Sequence, residues 1–186
     1  MHPGVIIPEL KQPGRSACTM KQSRNTDRAA AVCAAGFVLM LGLAAYWDPK
    51  IRVLHLFESL PYIAAGILSL YQVKLGYALG VASGAFWLWT AGFRTTFIRN
   101  GFESVGTLIR TGSVNSPDIL IAVPAALATA GLVVFSIWSY ASNAQKSWRD
   151  AMQWLMILIL VAGFFIGIFA AFAPQYLGMF PWLFKR

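Results

Sequence analysis

Four polar side chains recur at helical spacing inside a long apolar stretch of this chain: His55, Glu58, Ser59 and Tyr62. Residues three and four positions apart share one face of an α-helix, so the four side chains are predicted to lie together. An imidazole beside a carboxylate can relay a proton or hold a cation. Pro61 also leaves a backbone carbonyl without its helical donor. The stretch is therefore the candidate binding site of the chain.

Thr90 and Arg94 complete the predicted intramembrane polar cluster from a second helix. The polar link at residues 72–74 is short, so the helices on either side of it are predicted to be antiparallel neighbours. We expect Arg94 to reach inward and pair with Glu58, which fixes the two helices against each other. A charge inside a bilayer is costly, and such a pair gives Glu58 the partner that its burial requires.

Two other roles for this cluster remain open at the level of the sequence. Glu58 and His55 can handle protons or cations, as ionisable residues inside membrane helices often do. Alternatively, a quinone or a lipid head group binds near His55, Tyr62 and Trp87. These are the alternatives to the structural pairing of Glu58 with Arg94.

The composition identifies the surroundings of the cluster as a lipid bilayer. Hydrophobic residues make up 58% of the 186 residues and charged residues 12%, against about 25% charged residues in a typical globular domain. Apolar runs of about 20 residues, the length that crosses a bilayer core, recur along the chain. The net charge of +8 is spread over short segments between these runs. This distribution favours contact with lipid head groups over nucleic-acid binding.

The predicted fold is an all-α integral membrane helical bundle with about five transmembrane helices and one amphipathic interfacial helix. The transmembrane domain covers residues 29–173, with spans predicted at about 29–47, 49–71, 75–93, 119–141 and 151–173. Asp48 and Pro49 predict a capped start for the second span. The interfacial helix is predicted at about residues 95–110, with Arg99 and Glu103 paired on its polar face.

The two ends of the chain are predicted to lie outside this bundle. Residues 1–28 are predicted to be a disordered polar tail. Met20, which precedes a basic stretch and the first apolar run, is consistent with a natural start, so residues 1–19 are expected to be an upstream extension. Residues 174–186 are predicted to be an aromatic and basic segment at the membrane interface.

Two sets of glycines at four-residue spacing predict close helix packing. Glycines without side chains on one helix face let a second helix backbone approach closely in a membrane. The third predicted span carries Gly76, Gly80 and Gly84, and the fifth carries Gly163 and Gly167. Both faces are predicted to be packing faces and not catalytic sites.

The motifs of the common enzyme and metal classes are missing from the sequence. Cys18 and Cys33 form no CxxC pair and no zinc spacing. His55 is the one histidine in an apolar run, which excludes a bis-histidine haem site within the chain. There is no GxSxG motif and no phosphate-binding loop. The sequence therefore predicts no enzyme, no catalytic residue, no metal site and no cofactor, and leaves bound lipid, quinone or pigment open.

The predicted function is that of a non-enzymatic structural or accessory subunit of a larger membrane complex, because two small-residue faces favour helix association. The alternative is a small proton- or cation-coupled transporter or channel component that uses Glu58 and His55. Membrane lipids and other membrane subunits, or further copies of the chain, are the expected partners; nucleic acid is not. The expected location is a bacterial-type inner (plasma) membrane with a cytoplasmic N-terminus.

Overall fold

The described part of the chain is all-α. The computed structural model describes residues 13–113, 117–142, 146–174 and 178, with backbone only at residues 13–23 and 117–118. The helices are α1 (Pro13–Trp47), α2 (Arg52–Leu70), α3 (Lys74–Trp89), α4 (Phe97–Thr111), α5 (Pro117–Leu120), α6 (Ala122–Ser142) and α7 (Trp148–Phe172). A 3-10 turn at Pro49–Ile51 precedes α2, and a π-helical segment at Thr90–Arg94 follows α3.

Within the described residues, four segments are long and apolar enough to cross a membrane, as a membrane protein requires. They are Arg24–Trp47, Pro49–Leu70, Ala122–Ser142 and Trp148–Phe172. The third predicted span is different, because α3 has only 16 α-helical residues and is then extended by the five residues of the π segment. The predicted interfacial helix is present as α4, where the Nε of Arg99 donates to Glu103 Oε1 at 2.9 Å.

Four long helices, α1, α2, α3 and α6, pack in a ring, and α7 lies outside this ring. α1 packs on α2 and α6, and α3 packs on the same two helices from the opposite side. α7 lies against α3 and, to a smaller extent, α2. Chain direction alternates from α1 to α2 to α3, so the start of α1 and the start of α3 lie at one end of the bundle. The start of α2 lies at the other end, and these two ends are named the Asp27 end and the His55 end.

The glycines of α3 allow its backbone to touch its neighbours. A methyl group added at Gly76 would lie 2.6 Å from Leu68 Cβ and 2.8 Å from the backbone of α2. A methyl group at Gly84 would lie 2.6 Å from Val133 Cγ2 on α6. By contrast, Gly163 and Gly167 on α7 have no described atom within 4 Å of an added methyl group. The α7 glycines therefore make no close helix contact within the described chain.

The first helix begins earlier than the sequence predicts. Residues 13–28, predicted to belong to a disordered tail, are the first turns of α1, and Asp27 is only 1% exposed. The reason is that Asp27 has partners: its Oδ2 accepts from Gln72 Nε2 at 3.0 Å and its Oδ1 from Tyr77 OH at 2.8 Å. Residues 1–12 lie outside the described residues, as does most of the predicted C-terminal segment at 174–186.

Two more contacts complete a polar network at the Asp27 end. The hydroxyl of Ser139 on α6 donates to Thr26 Oγ1 on α1 at 2.9 Å. The Nζ of Lys74 at the start of α3 lies 2.8 Å from Asp150 Oδ2 at the start of α7. Together with the two bonds to Asp27, these contacts join α1, α3, α6, α7 and the α2–α3 link, and are named the Asp27 network.

The link between α2 and α3 holds an unfavourable backbone conformation at Gln72. Its φ is +57°, in the left-handed region where glycine is the usual residue at a helix C-terminus. The amide of Gln72 donates to Ser69 O and that of Val73 to Leu68 O, each at 3.0 Å, which closes the end of α2. A left-handed non-glycine residue costs about 1 kcal/mol, and the bond from Gln72 to the buried Asp27 offsets that cost.

Replacing Gly76 with alanine is expected to destabilise the protein by about 1–3 kcal/mol, because the new methyl group meets the backbone of α2. The matched change Gly163→Ala meets open space and is expected to be neutral or stabilising by up to about 1 kcal/mol, since alanine favours the helix. Reversible unfolding in mixed detergent micelles containing dodecyl sulfate, followed by circular dichroism, measures both. Equal free-energy changes at the two positions would contradict the close approach of α3 to α2.

Gln72→Gly is expected to change the free energy of unfolding with opposite signs in two backgrounds. In the wild-type protein it relieves the left-handed strain but removes a hydrogen bond to a buried carboxylate, which is worth about 1.5–3 kcal/mol, so the net effect is destabilising. In an Asp27→Ala background only the relief remains, and Gln72→Gly stabilises by about 1 kcal/mol. The same unfolding titration measures the four proteins. A destabilisation of equal size in both backgrounds would show that the side chain of Gln72 does not act through Asp27.

Candidate functional site

The start of α2 is fixed by the predicted cap. Asp48 Oδ1 accepts from Lys50 N at 3.0 Å, and Pro49 occupies the first position of the 3-10 turn. A side-chain acceptor satisfies one of the free amides at a helix start, and proline is preorganised for that position. The cap sets the register of α2, which turns His55, Glu58, Ser59 and Tyr62 towards the interior of the bundle.

His55 and Glu58 form a close pair. The distance between His55 Nδ1 and Glu58 Oε2 is 2.7 Å, and the two side chains are 15% and 6% exposed. This hydrogen bond uses Nδ1, so the other ring nitrogen, Nε2, takes no part in it. A buried carboxylate therefore has one of its two oxygens satisfied by a neighbour on its own helix.

This pair corrects the prediction that Glu58 pairs with Arg94. The ion-pair partner of Glu58 is His55, three residues earlier on α2. Arg94 is exposed at the end of the π segment, and its guanidinium carbon lies 5.7 Å from the centroid of the Trp89 ring. The physical reason is local geometry, since residues three apart on one helix are already within reach.

The other predicted residues of the polar cluster bond within or between helices. Ser59 Oγ donates to Leu56 O at 2.7 Å, and Thr90 Oγ1 donates to Phe86 O at 2.8 Å, both along their own helices. Tyr62 is fully buried and its hydroxyl donates to Ser83 O at 2.9 Å, which ties α2 to α3. These three hydroxyl groups therefore stabilise the walls of the site.

A cavity of about 350 Å³ lies beside the His55–Glu58 pair at the His55 end. All the long helices of the bundle, the π segment and α4 contribute to its lining. Most of the lining is apolar, and five aromatic side chains take part: Phe86, Trp87, Phe97, Phe165 and Phe169. The polar groups are His55 and Glu58 on one wall and Asp48, Thr90, Thr95, Thr96 and Asn100. An apolar cavity with a few convergent polar groups is the usual form of a small-molecule site.

An aromatic layer lies between the cavity and the rest of the bundle. The ring centroid of Phe37 on α1 is 4.3 Å from that of Tyr62 and 4.9 Å from that of Trp87. Phe37 and Tyr62 are each 0% exposed. This buried layer bounds the cavity on the side of the Asp27 end.

The π segment shapes the wall opposite α2. The amide of Thr95 donates to Thr90 O at 2.9 Å, five residues back, in place of the ordinary four-residue bond. Thr90 and Ala91 from this segment line the cavity. Such π turns are rare and frequently occur at functional sites. The chain then turns into α4, where Gly101 packs closely on Ala122 at the start of α6.

Glu58 and His55 retain unused bonding capacity towards the cavity. Among the described residues, none donates to Glu58 Oε1 or bonds to His55 Nε2. A carboxylate oxygen and an imidazole nitrogen are thus available to a bound molecule. The described residues contain no group of three or more His, Cys, Asp or Glu side chains that could hold a metal ion.

Sequence reasoning missed three features of the polar framework. The predicted tail includes Asp27, although one buried helix face has the three- and four-residue spacing of Asp27, Ala30, Ala34, Phe37 and Leu41. Ser147 and Asp150 form a capping box at the start of α7, and their S-x-x-D spacing is a known start signal. The π segment has no such signal, because its extra residue depends on where α4 packs.

The His55–Glu58 pair is expected to show an interaction free energy of about 1–2 kcal/mol in a double-mutant cycle, since neighbours in contact couple within about 0.5–3 kcal/mol. The variants are His55→Ala, Glu58→Gln and the double variant, and unfolding in mixed micelles measures their stability. The exposed pair Arg99 and Glu103 is the matched control, for which about 0.3–0.5 kcal/mol is expected. An interaction free energy no larger than that of the Arg99–Glu103 pair would mean that the buried His55–Glu58 contact stabilises the protein no more than an exposed ion pair does.

Comparisons with known proteins add no family to this geometry. No protein-family model, no curated protein and no solved structure matches the chain. The functional argument therefore rests on the cavity and the residues that line it. By its apolar helices, the chain is an integral membrane protein with a lined cavity at one end of its bundle.

Proposed function

We propose that this chain is a non-enzymatic binding component of a small-molecule transport system, in which Glu58 and His55 hold a molecule taken into the cavity at the His55 end. The observation that carries the proposal is the position of Glu58. Its carboxylate is buried in a membrane helix, one of its two oxygens bonds to His55, and it lies on the wall of a cavity of about 350 Å³.

The cavity favours binding over a purely structural role for the pair. A buried ion pair is weak evidence for stability, because desolvation offsets much of its attraction. The cavity beside the pair is lined by a few polar groups in an apolar wall, the usual form of a small-molecule site. A pair that served only to join helices would be expected to bridge two of them, whereas His55 and Glu58 lie on the same helix.

The proposed orientation places the Asp27 end in the cytoplasm of a cell with a bacterial-type inner (plasma) membrane. Arg24 and Arg28 flank the start of the first span, and basic residues beside the first helix usually set the topology of a membrane protein. The cavity then opens towards the side of the membrane away from the cytoplasm. A molecule could enter it from the bilayer interface at the level of α4.

A variant that fills the cavity tests the proposal. Ala44 on α1 lines the cavity, and Ala44→Phe places a ring inside it. The wild-type protein, purified in mild detergent, is expected to carry a small molecule that native mass spectrometry detects, and the variant is expected to lose it.

The matched control is the next residue back along α1, Leu43, which is 37% exposed and absent from the cavity lining. Leu43→Phe adds a ring facing away from the cavity and is expected to retain the bound molecule. If Ala44→Phe keeps the same bound mass as the wild type, the cavity is not a binding site and the proposal fails.

A second candidate function is that of an accessory subunit, and one observation favours it. Gly163 and Gly167 form an outward face of α7 with open space around both residues, where a helix of another subunit can pack. Here Gly163→Leu is expected to release a partner during gentle purification, while the cavity remains intact. If Gly163→Leu does not change the set of co-purifying proteins, the accessory-subunit function is contradicted and only the binding function remains.

A further inference from the structure

We infer that the cavity at the His55 end selects a lipophilic organic cation: an ammonium or similar cationic group attached to an apolar, ring-containing body. This inference rests on the proposed function, since it names the ligand class of the same site. It depends on three observations, namely the charges in the lining, the positions of the basic residues around it, and its aromatic walls.

The charged groups of the lining are acidic. Glu58 and Asp48 contribute carboxylates, and His55 is the one other ionisable side chain among the described residues that line the cavity. No lysine or arginine is among those lining residues. A phosphate or carboxylate head group would therefore meet like charge without a lysine or arginine partner among these residues, whereas a cation would meet two carboxylates in a site of low dielectric.

The described lysine and arginine side chains of the same end are directed elsewhere. Arg52 Nε donates to Ala45 O at 3.2 Å, and Arg99 pairs with Glu103 on the outer face of α4. Arg94 lies over the ring of Trp89, which is not part of the lining. Lys50 and Arg110 are exposed. Among the described residues of this end, no lysine or arginine side chain therefore reaches the two carboxylates of the lining.

The aromatic walls suit the same ligand. The faces of aromatic rings attract cations, and tryptophan does so most strongly. Trp87, Phe86 and Phe97 contribute rings on the α3 and α4 side, and Phe165 and Phe169 contribute rings from α7. A carboxylate with a free oxygen on one wall and aromatic rings on the others can hold a cationic group while its apolar body contacts the remaining surface.

The probe that tests this is benzyltrimethylammonium, a compact cation with one ring, whose binding to the purified protein in lipid nanodiscs is measured by equilibrium dialysis of the radiolabelled compound. The wild-type protein is expected to bind it. Glu58→Gln, which keeps the shape of the side chain and removes the charge, is expected to weaken binding about tenfold or more. The matched variant Glu103→Gln removes an exposed carboxylate outside the cavity and is expected to leave binding unchanged.

Two competitors of different charge decide the ligand class on the wild-type protein alone. Benzenesulfonate, an anion of similar size, and 2,3-dimethoxy-5-methylbenzoquinone, a neutral quinone head group, are expected not to displace the cation. This comparison stands even if Glu58→Gln does not fold. Displacement by either compound at equal or lower concentration would overturn the inference, as would equal losses of binding in Glu58→Gln and Glu103→Gln.

The outcomes separate this inference from the proposed function. If Ala44→Phe excludes a bound molecule but benzyltrimethylammonium does not bind the wild type, the cavity is a binding site and the cation assignment is wrong. If the bound mass is unchanged in Ala44→Phe and the cation does not bind, both fail. Binding of the cation that is lost in Ala44→Phe and retained in Leu43→Phe supports both.

Discussion

The close approach of α3 to its neighbours is the constraint on which the rest of the structure depends. At Gly76 the backbones of α3 and α2 are so near that no side chain fits between them. At Gly84 the side chains of α6 occupy the space that a side chain on α3 would need. Van der Waals contact over such faces is a main source of helix association where lipid removes the hydrophobic driving force. The departure of α3 from α-helical geometry follows these tightly packed turns, at Thr90–Arg94.

The cavity lies beside that departure. The π segment contributes Thr90 and Ala91 to its lining, and the chain then crosses into α4 at the His55 end. Tyr62 and Phe37 bound the cavity on the other side with a fully buried aromatic layer. The buried carboxylate of Glu58 thus lies at the end of the bundle that holds the cavity, away from the close contact at Gly76.

Features that depend on neighbouring residues in the sequence were predictable, and features that depend on tertiary contacts were not. The cap at Asp48, the amphipathic α4 and its Arg99–Glu103 pair follow from spacing along one helix. The all-α membrane fold follows from the long apolar runs. The antiparallel topology predicts Arg94 as the partner of Glu58, and this prediction is wrong because His55 is already within reach three residues earlier on the same helix. Asp27 was missed because a charge before an apolar run resembles a flanking residue until its partners, Gln72 and Tyr77, are known.

The distribution of bonds between helices gives the bundle a mechanical asymmetry. The contacts of Asp27, Thr26 and Lys74 cross from one helix to another at the Asp27 end. At the other end, the bonds of Ser59, Thr90 and the His55–Glu58 pair stay within a single helix, and the bond from Arg52 Nε to Ala45 O joins α2 to α1. The described side-chain bonds between helices are therefore fewer at the His55 end than at the Asp27 end. Over about 30 Å, the length of 20 helical residues, a tilt of about 5° about the Asp27 end moves the His55 end by about 2.6 Å.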